Sequence, residues 1–152
     1  MANPADVSSI DAIINAAYEG ISGPAGKQRD WDRQRSLFLP CARLIPTAME
    51  ANENAGGLAP QFLDVEGFIA RVEPYFQENG FYEKEIARRT EQVGHIAHAW
   101  STYESRHHRD DPEPFMRGIN SIQLFHDGTR WWIVNIFWQH ETAADPIPAK
   151  YL

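Results

Sequence analysis

The sequence predicts an α+β domain, with helices gathered in its first half and antiparallel strands in its second. Three observations predict it. Residues 6–21 and 64–80 carry apolar side chains at the 3.6-residue period of a helix buried on one face. Residues 81–107 read as two long strands. Residues 118–141, GINSIQLFHDGTRWWIVNIFWQHE, hold two runs of β-branched and aromatic residues, Ile119–Phe125 and Trp131–Gln139, around His126-Asp127-Gly128-Thr129. Asp-Gly between such runs is a strong hairpin signal.

At 152 residues, 43% of them hydrophobic, the chain is long enough for one domain with a proper core and too short for two ordinary ones. A single domain over 1–152 is expected, with its core in 6–141 and tails at 1–5 and 143–152. The net charge of −7, with no basic block, disfavours a nucleic-acid or anionic-membrane partner. One cysteine, Cys41, leaves no intramolecular disulfide and no zinc-ribbon or iron–sulfur spacing, and is expected as a small buried hydrophobe. No apolar run reaches the ~18 residues of a membrane span, and MANPADVSS lacks the basic end and apolar heart of a signal peptide. A cytoplasmic protein is the resulting expectation.

The elements follow in order. Asp6 or Ser8 can cap a first helix with Val7, Ile10, Ile13, Ile14, Ala17 and Ile21 on its apolar face. After a loop at 23–29, Asp30 caps a short helix from Trp31 to Phe38 that Pro40 prevents from continuing. Cys41–Met49 reads as a strand, which Pro46 assigns to an edge or a bulge. Residues 50–60 are loop by composition. Asp64 caps a third helix that Pro74 should bend or break and Gly80 should stop. The strand FYEKEIARRTEQV over 81–93 is mostly charged, so at least one face is wet. In the strand over 95–107, Ala97, Ala99, Ser101 and Tyr103 share one side, and Ile96, His98, Trp100 and Thr102 the other.

If Asp127 and Gly128 are the central turn residues, Gln123 lies opposite Trp132, Ser121 opposite Val134, and Ile119 opposite Ile136, a face continued by Trp138. The other face pairs Leu124 with Trp131, Ile122 with Ile133, and Asn120 with Asn135. Neither face is polar enough to stay in water, so the chain's helices should cover one and a second subunit the other.

The pattern DW…R…LF-x-P-x-A-R-L at 30–44, followed by the hairpin-rich half that ends in DGTRWWIVNIFWQ, resembles the nuclear transport factor 2-like superfamily. That group, also called the SnoaL-like or cystatin-like α+β cone, includes ketosteroid isomerases, limonene epoxide hydrolase, polyketide cyclases, dioxygenase β subunits and kinase association domains. The resemblance covers about residues 6–141. It implies a curved, mixed, mainly antiparallel sheet wrapped around a conical pocket that three helices close, and a homodimer through the sheet's outer face. These shared motifs are hydrophobic patterns, so they speak to fold more than to function.

The hairpin face of Ser121, Gln123, Trp132, Ile136 and Trp138 mixes aromatics with isolated polar groups, as small-molecule sites do, and is the expected pocket lining. Steroid isomerase chemistry needs a carboxylate base and an oxyanion hole of a tyrosine and a protonated acid. By resemblance the base position falls on Pro46 and the acid near Ser121, while Tyr18 lies within a residue or so of the tyrosine; that route is not expected. His98 is the best remaining candidate base, sharing a strand face with Trp100, and Tyr18 the candidate hydrogen-bond donor. A one-residue bulge in 95–107 would exchange His98 and Trp100 for Ala97, Ala99 and Tyr103 in the pocket, and the sequence leaves that parity open.

His95 and His98, three apart on a strand, face opposite sides and make a poor metal pair. His107 and His108 sit in a charged turn, and whether Arg43, Arg88, Arg89 and Arg117 gather into an anion site the sequence does not say. No G-x-S-x-G, Walker loop, dinucleotide fingerprint or H-E-x-x-H occurs, so neither a cofactor nor a metal is expected. Two functions result. One is a small-molecule-binding protein acting without a cofactor as an isomerase, cyclase or lyase-like enzyme on an apolar cyclic substrate. The alternative is a non-catalytic dimeric binding or assembly module.

Overall fold

The structure is a computed structural model that describes residues 1–49 and 58–152. Most of the expected loop at 50–60 lies outside the described residues. Helix α1 (Ile10–Ile21) follows a 3-10 turn at Pro4–Val7 and is capped by Ser9, whose hydroxyl accepts from the Ala12 N–H; the cap falls on neither Asp6 nor Ser8. Asp6 is instead buried in an ion pair with Arg33, Oδ2 to Nε 2.7 Å. Helix α2 (Trp31–Arg35) is capped by Asp30 as its sequence requires, but stops three residues short of Phe38, which opens strand β1 (Phe38–Met49). Helix α3 (Val65–Glu78) is capped by Asp64 and runs through Pro74 without ending there. Cys41 is exposed on β1 and is not the core residue its type suggests.

Strands β2 (Leu58–Pro60), β3 (Tyr82–Val93), β4 (Ile96–Arg106), β5 (Met116–His126) and β6 (Trp131–His140) complete a six-stranded sheet in the order β2-β1-β6-β5-β4-β3. Among the described residues only β1 and β6 run parallel; the remaining neighbours are antiparallel, so the sheet is mixed and open. Pro46 sits on β1 beside Trp138, and its carbonyl accepts from the Gln61 N–H, so the strand is flanked on both sides there.

The hairpin register differs from the simple one in two places. Asp127 Oδ1 accepts from the Thr129 and Arg130 N–H groups and from the Thr129 hydroxyl, and Oδ2 accepts from Trp132 Nε1 at 2.7 Å. That capping stretches the turn to four residues, so His126 pairs with Trp131 and Leu124 with Ile133. The pairing then slips again, from Leu124 with Ile133 to Gln123 with Asn135, leaving Val134 as an extra residue. The first shift is even and preserves faces. The bulge is odd, and it turns Ile136 and Trp138 onto the face of Asn120 and Ile122.

On β4 that inner face carries Ala97, Ala99, Ser101 and Tyr103, the set the sequence left open. The small Ala97 and Ala99 lie opposite Leu124 and Ile122, and α1 packs Ile13 and Ile14 into the same core cluster. A second cluster, Trp31, Ile69, Phe76 and Phe81, ties α2 and α3 to the start of β3. Arg29 staples the preceding loop by donating to the carbonyls of Ile21, Gly23, Pro24 and Lys27, its guanidinium over the Phe76 ring.

Candidate functional site

Between the sheet's inner face and the helices lies a cavity of about 760 Å³, within the range of small-molecule sites. Its walls are mostly aliphatic and aromatic: Ile14 and Ala17 from α1, Phe68 and Val72 from α3, Ile133, Ile136 and Trp138 from β6. Phe68 meets the Trp138 ring edge-on, with centroids 6.1 Å apart. Arg71, His140 and Asp145 also line it. His140 is held below its ordinary value by burial and by the Arg71 charge.

Polar groups of α1, β3, β4 and β5 converge on this cavity. Ser101 and Asn120 are cross-strand partners, and both reach Tyr18: its hydroxyl lies 2.6 Å from Ser101 Oγ and accepts from Asn120 Nδ2 at 3.0 Å. The Ser101 hydroxyl donates to Glu85, so the Tyr18 proton must point at Ser101. Glu85 is in turn paired with Arg88, Oε1 to Nη2 2.7 Å, and Arg88 with the exposed Asp11. Residues three apart on a regular strand face opposite ways; the shift in pairing between Glu85 and Ala87, with Ile86 as the extra residue, lets Glu85 and Arg88 meet. A single directed chain of hydrogen bonds therefore runs from Asn120 through Tyr18, Ser101 and Glu85 to the surface.

Glu83 stands apart from that chain. It pairs with Ser105 across β3 and β4, and the Ser105 hydroxyl donates to its Oε2 at 2.8 Å. Among the described residues no cation pairs with it and its Oε1 has no partner. Burial raises its carboxyl to about 7, against a small downward pull from the Ser105 hydrogen bond. The Tyr103 hydroxyl, which makes no hydrogen bond among the described residues, is pushed well above its ordinary range by burial and then by the Glu83 charge. Tyr18 is pushed up for the same reasons.

Of the residues the sequence singles out, the structure brings Tyr18, Ile136 and Trp138 to the cavity. It places His98, Trp100, Ser121, Gln123 and Trp132 on the sheet's other face, because β4 has no bulge between 95 and 107 whereas β6 has one. There His98 Nε2 lies 2.8 Å from Ser121 Oγ, Gln123 accepts from Asn135, and Trp132 stacks under Arg130. The C-terminal segment crosses this face: the Thr102 hydroxyl donates to the Tyr151 carbonyl, and Tyr151 packs on Trp100 with centroids 5.4 Å apart. A smaller cavity of about 320 Å³ lies beneath it, lined by Trp100, Ser121, Phe137 and Ile147 among others.

Arg43, Arg88, Arg89 and Arg117 do not gather into an anion site. Arg88 and Arg117 pair with carboxylates, and Arg43 and Arg89 donate to backbone carbonyls. Glu83 and Asn120 escaped the sequence reading. Glu83 hid in a strand whose charges read as a wet face, and the signal that marks it is its partner strand, whose Ser101, Tyr103 and Ser105 set hydroxyls on one side.

Among the described residues, no three or more His, Cys, Asp or Glu gather in a form that could hold a metal. No helix among them is long and apolar enough to cross a membrane.

No family model matches the chain, and no curated protein matches it. Solved structures do. A protein of unknown function with a cystatin-like fold from Nostoc punctiforme PCC 73102 aligns with a TM-score of 0.64 at 10% identity, over 88% of this chain and 90% of that one. A chain assigned as the β subunit of an aromatic-ring-hydroxylating dioxygenase from Novosphingobium aromaticivorans DSM 12444 aligns with a TM-score of 0.63 at 19% identity, over 92% and 95%. A nuclear transport factor 2-like protein of unknown function from Pseudomonas putida KT2440 aligns with a TM-score of 0.62 at 11% identity, over 93% and 92%.

Proposed function

From a nuclear transport factor 2-like fold, the architecture this chain has, we propose that the cone binds a small, largely apolar, cyclic molecule. The observation that carries this reading is the cavity of about 760 Å³ with aliphatic and aromatic walls and a few convergent polar groups, Tyr18, Asn120 and Glu83. An enzyme built on this site would work by cofactor-independent acid–base chemistry of the isomerase, cyclase or lyase-like type. Glu83 is then the group that can exchange a proton near neutral pH. Tyr18 contributes as a positioning group, because its proton is committed to Ser101. His98 faces away from the cone and takes no part in it.

A second reading, a homodimeric binding or assembly module, is favoured by a separate observation. On the outer face Ile96 and Phe137 stay exposed, Phe137 at the rim of the cavity beneath the C-terminal segment, and Trp132 is half-buried. The dioxygenase β-subunit neighbour is named as a subunit of a larger enzyme, which fits a module of this kind. The two readings are compatible, since they use opposite faces of one sheet.

Native mass spectrometry of the freshly purified protein tests both. A dimer carrying an additional apolar mass supports the cone as a binding site and the outer face as the interface. A monomer would overturn the interface, and failure of apolar cyclic probes to bind at millimolar concentration would overturn the cone.

A further inference from the structure

A carboxylate taken out of water is tolerated when a cation or several hydrogen bonds compensate it. Elsewhere among the described residues four carboxylates withdrawn from water have a cation: Asp6 pairs with Arg33, Glu85 with Arg88, Glu104 with Arg106 and Glu141 with Arg117. Of the two carboxylates that line the cavity, Asp145 is exposed to water, whereas Glu83 is withdrawn from it without a cation. Its one compensating contact is the Ser105 hydroxyl, and neither Arg71, the cation that shares the cavity, nor His140 forms an ion pair with it.

The titratable groups packed around Glu83 are Tyr18 from α1, Tyr103 from β4 and Glu85 from its own strand. None supplies positive charge at neutral pH. Both tyrosines line the cavity with it and present aromatic rings, whose faces attract cations. A ligand that fills the cone expels water from Glu83 and sharpens its need of a partner. A neutral ligand leaves that need unmet, and a cationic one meets it.

We infer that the natural ligand of the cone is an apolar amine, a ring-bearing molecule whose ammonium group pairs with the free Oε1 of Glu83 between the Tyr18 and Tyr103 side chains. This inference rests on the cone being a binding site and names the class of molecule it takes. The protein's net charge of −7 draws such a cation toward the surface in the first place.

The test is calorimetric titration of the protein with adamantan-1-amine and with its neutral isostere adamantan-1-ol, at pH 8 and pH 5.5. At pH 8 the amine should bind more tightly than the alcohol by about tenfold or more. At pH 5.5, where a carboxyl near 7 is protonated, that preference should fall to about twofold, because the amine stays charged while its partner does not. Glu83→Gln should show the same loss of preference for the amine over the alcohol at pH 8. If that variant does not fold, the pH comparison on the wild-type protein decides alone.

Equal binding of amine and alcohol at pH 8 overturns the inference while leaving the cone as a binding site. Tighter binding of the alcohol, strengthening as the pH falls, also overturns it, since Glu83 would then act as a neutral donor to an oxygen. If neither probe binds, the binding-site reading fails and the inference falls with it.

Discussion

The Tyr103 phenol lies across Gly118 so closely that a Cβ built on the glycine would stand 2.3 Å from its hydroxyl oxygen. The two are cross-strand partners, and the bare backbone of one is the space the other occupies. The same Cβ would lie 2.8 Å from the Gln139 carbonyl oxygen on β6, so the third strand cannot yield either. Gly118→Ala should therefore cost about 2 kcal/mol through overpacking. For a chain of this size that is a fall in Tm of roughly 4–8 °C. Thermal melts followed by near-UV circular dichroism read it, and an unchanged Tm would show that Tyr103 moves freely.

Glu83 should make stability fall as pH rises through neutrality. Its carboxyl sits at about 7 in the folded protein against an ordinary 4.5, so the folded state binds more protons than the unfolded state between those values. The cost is absent below about pH 4.5, grows between there and pH 7, and reaches roughly 3 kcal/mol at pH 8 as an upper figure. Glu83→Gln should remove this slope and raise stability at pH 8. Urea titrations at pH 5.5 and 8 measure it. Asp6 and Glu141, whose carboxyls are lowered by their arginine partners, act in the opposite sense, and their contributions are lost only in acid.

Ile136→Trp should block the cone. The side chain is half-buried and faces the cavity, so an indole there projects into empty space with little strain. Binding of an apolar probe should fall at least about tenfold while Tm changes by no more than roughly 3 °C. His98→Ala, on the opposite face, should leave the same binding within about twofold. A His98 variant that lost binding would mean that the two faces of the sheet are coupled.

Phe137→Asp should separate the subunits of a dimer formed through the outer face. The side chain is 44% exposed in the single chain, so its exchange leaves the core untouched. Sedimentation at micromolar concentration should show a shift from dimer to monomer with far-UV circular dichroism unchanged. A dimer that survived would place the interface elsewhere.

The helices were legible because capping and period are local properties: Asp30 and Asp64 cap where the chemistry of their side chains requires. The hairpin and the two strands before it are legible for the same reason, whereas β2 reads as loop and β1 opens three residues before the position its sequence suggests. What the sequence could not deliver was parity. Asp127 gathers its donors from its own loop and from Trp132, which shifts the pairing by two. The extra residue at Val134 then moves Ile136 and Trp138 across the sheet. Both depend on how strands meet, and no pattern within one strand encodes it. Glu83 and Glu85 were hidden by the converse problem. Their strand is charged on both faces, and only the hydroxyls of β4 tell which charges are turned inward.

The extra residue at Val134 acts as an inversion operator on the strand beyond it. Were the bulge ironed out with every residue kept, Asn135 and Phe137 would face the cone in place of Ile136 and Trp138, with no substitution anywhere. Loss of Val134 itself would instead leave Ile133 and Asn135 as consecutive partners of Leu124 and Gln123, with Ile136 and Trp138 still turned inward. The bulge thus lets the strand carry one residue more than its partner while the wall of the cone keeps its composition.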